Sequence, residues 1–106
     1  MSERRINDRV ECNIEARWQG LSGNSNAMIT DLGLGGCFIE SNTRASFADY
    51  VSLDINLDNE IWFSLRGEVI YSLPSVGFGL RFLNLTQAEQ ELVKEVISDH
   101  QPAKVA

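Results

Sequence analysis

Histidine occurs once in the sequence, cysteine and proline twice each, and no apolar run approaches the roughly 20 residues that cross a bilayer as a helix. Each scarcity excludes something. The two cysteines, Cys12 and Cys37, are too few for a disulfide scaffold and form no CxxC or Cys/His cluster with zinc spacing. They read as reduced thiols, small buried hydrophobes in a cytoplasmic protein. The N-terminus is polar and has no apolar core segment, so it does not read as a signal peptide. The one histidine, His100, falls at a helix end near the C-terminus, where an imidazolium suits the helix dipole. No serine or cysteine stands in a nucleophile-elbow context, and the carboxylates are scattered over turns and a helix. No catalytic or metal-binding constellation can be assembled, and the expectation is a non-enzyme with no cofactor and no metal.

Cations are also in short supply. Lys and Arg number 9 against 15 Asp and Glu, a net charge of −6. That balance argues against DNA or RNA binding, which needs a positive field to release counterions. Any anion site must be local and built against the background.

What is present is a chain of 106 residues, enough for one domain and one modest core. Val10, Cys12, Ile14, Ala16 and Trp18 alternate with polar residues, the period of a half-buried strand. GLSGNSN (20–26) reads as a turn, AMITD (27–31) as a short strand, DLGLGG (31–36) as a second turn and CFIES (37–41) as a third strand. YVSLDINL (50–57), IWFSLRGEVIY (61–71) and VGFGLRFLNL (76–85) supply three more, with Gly67 read as a bulge or bend. The period then changes. Thr86 and Glu89 match a capping box, and Ala88, Leu92, Val93, Val96 and Ile97 share one helical face. The expected fold is all-β with one helix. Six antiparallel strands close into a barrel with a C-terminal α-helix over one end, behind a flexible N-terminal arm. The boundaries are 1–9 for the arm, 10–99 for barrel and helix, and 100–106 for a tail.

The arm carries three of the few cations, Arg4, Arg5 and Arg9. Arginine's planar fork binds phosphate bidentately and also matches the O6 and N7 acceptors of guanine. DLGLGG is not a dinucleotide fingerprint, because it leads into a strand and not a helix. Its glycines serve either a hairpin or the close approach of a flat ligand to the backbone.

Together these features resemble the PilZ domain family of bacterial cyclic di-GMP receptors. Arg5 and Arg9 match the family's RxxxR motif, with Arg4 before it, and Asp31 and Gly36 match the ends of its D/N-x-S-x-x-G motif. Cys37-Phe38-Ile39 and the stretch VGFGLRFLNLTQAE resemble the apolar continuation and the closing strand and helix start. The likeness spans residues 3 to 98. It implies that Arg4, Arg5 and Arg9 clamp phosphate and guanine while Asp31 accepts from guanine N1–H and N2–H₂. Gly33 and Gly36 keep the turn low under a base, and Tyr71 stacks on guanine. One position departs, since the motif serine is Gly33 here. A lost neutral hydrogen bond is worth roughly 0.5–1.5 kcal/mol, against roughly 1.5–3 kcal/mol for each charge-assisted one from arginine, so binding is expected to be weakened and not abolished. Ordering of the arm on binding would be the output, read by a separate, unidentified effector protein. The alternative is a degenerate PilZ domain acting as a ligand-independent protein-interaction module.

Overall fold

The computed structural model describes residues 9–58 and 61–101. Arg4 and Arg5 lie outside them, as do the rest of the expected arm up to residue 8 and residues 102–106 of the tail. Six strands, β1 (Arg9–Gly20), β2 (Gly23–Gly33), β3 (Gly36–Glu40), β4 (Tyr50–Asp58), β5 (Ile61–Leu73) and β6 (Gly77–Phe82), precede one helix, α1 (Gln87–Asp99). The strands close into a barrel in the order β1-β2-β3-β6-β5-β4, and every pairing is antiparallel. Among the described residues, no helix is long and apolar enough to cross a membrane.

Alternation selects the core. Val10, Ile14, Ala16 and Trp18 of β1, Val51, Leu53 and Ile55 of β4, and Leu65 and Val69 of β5 all turn inward and are buried. Burying each such aliphatic side chain contributes about 1.5–3 kcal/mol. Trp18 meets Phe78 edge to face, with ring centroids 5.2 Å apart. Its indole N–H donates to Ser41 Oγ at 3.1 Å, so the one polar atom of the largest core residue is satisfied.

The capping box forms as expected. Glu89 N–H donates to Thr86 Oγ1, and the Thr86 N–H donates to Glu89 Oε1. Arg66 of β5 donates to both Glu89 oxygens and to the Asn84 carbonyl, which ties the first turn of α1 to the barrel. The Arg66 guanidinium, with the backbone N–H of Thr86 second, holds the Glu89 carboxyl below the usual carboxylate range. The helix buries Val93, Val96 and Ile97. Ala88 differs from expectation and is exposed.

Four further differences have physical reasons. Only Leu21 and Ser22 turn between β1 and β2, and Asn24–Asn26 are strand residues, since pairing with Gln19, Trp18 and Arg17 overrides their turn preference. Asp31–Gly33 finish β2 and do not begin a turn, so the bend narrows to Leu34 and Gly35. Gly67 pairs in register with both Val51 and Phe82, and the irregularity in β5 falls at Ile70 instead. β6 ends at Phe82 and not at residue 85, where Asn84 takes a left-handed φ of 53° to lead into the helix.

Candidate functional site

Barrel closure brings the ends of five strands onto one outer face. One row of register partners runs across it: Glu11 of β1, Asp31 of β2, Phe38 of β3, Gly79 of β6 and Tyr71 of β5. The next row holds Arg9 opposite Gly33, and Arg81 between Gly36 and Glu68.

Two bulges create this face. Strict alternation from buried Ile29 would send Asp31 into the core. An extra residue, Thr30, has no partner on β3, so Asp31 turns outward and Leu32 inward. β5 repeats the device. Val69 is buried, Ile70 is the extra residue against β6, and Tyr71 emerges on the outside.

Arg9 and Asp31 meet here. Arg9 Nε donates to Asp31 Oδ1 at 2.8 Å, and Nη2 approaches the same oxygen at 2.7 Å. The side chains are 52% and 44% exposed. A pair that open to solvent contributes only about 0–1 kcal/mol, so it holds the two groups in place yet yields them readily to a competing anion or donor.

Gly33 leaves the space that the Arg9 side chain fills. A Cβ at this position would lie 2.5 Å from Arg9 Nη1 and 3.0 Å from its Cγ, so the guanidinium occupies the space a side chain would take. Gly36 has a different reason. A Cβ there would meet the Leu80 carbonyl oxygen of β6 at 2.1 Å, so only glycine allows β3 and β6 to approach.

The Tyr71 ring packs against Gly79, where a Cβ would collide with it. The ring also stacks with Phe38 at 6.1 Å between centroids and 23° between planes. The result is a half-exposed aromatic pair seated on bare backbone, one row away from the Arg9 fork. Phe38 was not among the candidates read from the sequence, although its place between buried Cys37 and Ile39 sends it outward. Arg81, ion-paired with Glu68 in the second row, was also missed. Of the expected residues, the structure brings Arg9, Asp31, Gly33, Gly36 and Tyr71 to one face.

The thiols nearby are quiet. Burial, with the Asp31 charge second, pushes the Cys12 pKa up to about 11, and burial raises that of Cys37 further. Both stay protonated at neutral pH and are poor nucleophiles.

The family model for the PilZ domain matches residues 3–99. No curated protein is similar enough in sequence to match. Among solved structures, the PilZ domain of YcgR from Escherichia coli, described with c-di-GMP, superposes with a TM-score of 0.74 at 13% identity, covering 87% of each chain. The PilZ domain of CeSA from a cellulose-synthesizing bacterium gives 0.67 at 17% identity over 86% of this chain and 95% of that one. The inhibitor of motility MotI/DgrA from Bacillus subtilis gives 0.69 at 13% identity over 87% of this chain, which spans only 48% of the Bacillus one. At these identities the structures share the fold.

Proposed function

Because the chain belongs to the PilZ domain family, we propose that it is a cyclic di-GMP receptor whose barrel supplies Arg9, Asp31 and the Phe38–Tyr71 pair as its half of the binding site. The observation that carries this reading is the joint placement of a guanidinium fork, a carboxylate and a stacking surface on one outer face. The three groups match three parts of the ligand. The fork suits a phosphate oxygen pair or guanine O6 and N7. The carboxylate suits guanine N1–H and N2–H₂, and the aromatic pair suits a base face.

The remaining half comes from Arg4 and Arg5, which add the cations that a twofold anionic ligand needs. Fixing their segment costs about 1–2 kcal/mol of backbone entropy per residue, which ligand contacts must offset. Binding thus couples ligand to the position of the N-terminal segment, and a separate effector protein reads the change. The setting is cytoplasmic and the role is binding, not catalysis.

Titration calorimetry with cyclic di-GMP tests the proposal. Saturable binding is expected, lost in Arg5→Ala and Arg9→Ala. No heat, and no amide shifts at near-millimolar ligand, would sink it. A second reading has one observation in its favour. Asp31 and Arg9 already satisfy each other across Gly33, as a ligand-independent interaction module would allow. Partners captured equally with and without ligand, and by the Arg9→Ala variant, would favour that reading.

A further inference from the structure

We propose that the groove between α1 and strands β1 and β4 docks a basic, amphipathic segment of a partner protein. The groove encloses about 360 Å³. Its floor is apolar, made by Ile14 of β1, Leu57 of β4 and Leu92 and Val96 of α1. Its rim is acidic, with Glu15, Asp58, Glu95 and Asp99 around the opening and His100 beside them. Among the described residues, no lysine or arginine lines it.

The two halves of the lining select the occupant. A small inorganic cation would use the carboxylates but not the floor. Among the described residues, moreover, no three of His, Cys, Asp or Glu lie close enough to hold a metal. A neutral apolar ligand would fill the floor but leave four rim charges uncompensated. An anion such as a cyclic dinucleotide is repelled. A peptide with aliphatic side chains on one face and Lys or Arg flanking them uses both halves.

One polar residue of the lining holds the rim. Asn56 donates through Nδ2 to Glu15 Oε1 at 2.9 Å, which fixes that rim carboxylate. The groove also lies apart from the face built around Asp31 and Tyr71. Its walls are β1, β4 and α1, whereas the aromatic pair sits on β3 and β5. The proposal therefore does not depend on cyclic di-GMP binding.

An isotope-labelled NMR titration of the full chain with a synthetic helix-forming peptide, leucines on one face and lysines on the other, tests it. Saturable shifts are expected at residues 13–15, 56–58 and 92–100. The double variant Glu95→Lys/Asp99→Lys should bind roughly tenfold more weakly, whereas Glu40→Lys/Glu91→Lys, with the same net charge, should change affinity by less than roughly twofold. Equal weakening by both pairs would mean diffuse attraction to an acidic protein and would overturn the proposal. So would equal binding of a peptide whose leucines are replaced by serine, or shifts centred elsewhere. If deleting residues 1–8 shifts the groove amides and opens the groove to the peptide, the native occupant is the chain's own leader and the proposal fails.

Discussion

Two surfaces of one small barrel are built on opposite terms. The Arg9–Asp31–Tyr71 face pairs its charges, keeps its aromatics half exposed and rests them on bare glycine backbone. The groove under α1 does the reverse, with carboxylates and an imidazole around aliphatic side chains and, among the described residues, no lysine or arginine. On a chain of net charge −6, the groove follows the bulk charge, whereas the face sets Arg9 and Arg81 against Glu11, Asp31 and Glu68 and comes closer to balance. A local departure of this kind needs a cation held in place, and the Arg9–Asp31 contact holds one at small energetic cost. β1 serves both surfaces, with Arg9 at its start and Ile14 and Glu15 beyond the irregularity between Glu11 and Ile14.

The strongest way to break the comparison is Arg9→Ala. Charge-assisted bonds of roughly 1.5–3 kcal/mol each imply a loss on the order of a hundredfold in cyclic di-GMP affinity by calorimetry. The groove pair Glu95→Lys/Asp99→Lys should leave that affinity within about threefold, and equal losses from both would merge the two surfaces into one.

Gly79→Ala comes next. The new methyl strikes the Tyr71 ring and must displace it from Phe38, so ligand affinity should fall and thermal unfolding should report a loss of about 1–3 kcal/mol. Tyr71→Ala in the same background should add little further ligand loss, because the ring is already displaced.

Gly33 sharpens the picture with a smaller effect. A Cβ there collides with Arg9, so a serine brings a steric cost together with its hydroxyl. Gly33→Ala imposes the displacement alone. Calorimetry should place Ser roughly two- to tenfold tighter than Ala, the worth of one neutral hydrogen bond. Equal affinities would remove the turn from the site.

The smallest effect is on acid stability, and it belongs to neither surface. The Ser22 hydroxyl, with the Ser22 and neighbouring backbone N–H groups, lowers the Asp49 carboxyl, while Arg66 lowers Glu89. Folded values below the unfolded ones stabilise the protein above the ordinary carboxylate pKa, and that contribution is lost as pH falls through the folded values. Melting temperature should therefore decline below about pH 4, and Asp49→Asn should flatten the decline. A pH-independent melting temperature would contradict both assignments.

Legibility from sequence followed locality. Thr86 and Glu89 announce the helix start because both partners of the capping box lie within one turn. The alternating residues of β1 and β4 announce their own inward faces. The two bulges do not announce themselves. Thr30 and Ile70 are extra only relative to β3 and β6, so period two along the chain places Asp31 with Ile29 and Tyr71 with Val69. Motif likeness found both residues, but the mechanism that turns them outward lies in the pairing. The first half of β2 was hidden by its own composition, since Asn24, Ser25 and Asn26 favour turns until β1 lies beside them. The groove is a product of distance. Glu15, Asp58 and Glu95 come from three elements, and no spacing along the chain hints that they converge.

Closure of the sheet has a mechanical consequence. With six strands in a ring, no described strand lies wholly at an edge, and only stretches such as Arg9–Glu15 of β1, beyond its pairing with β4, keep one side unpaired for another polypeptide. Nor can one strand slide without every neighbour around the hoop giving way. News of a bound guest must therefore leave this protein through side chains, the helix or the chain ends, with the hoop itself as the stationary frame.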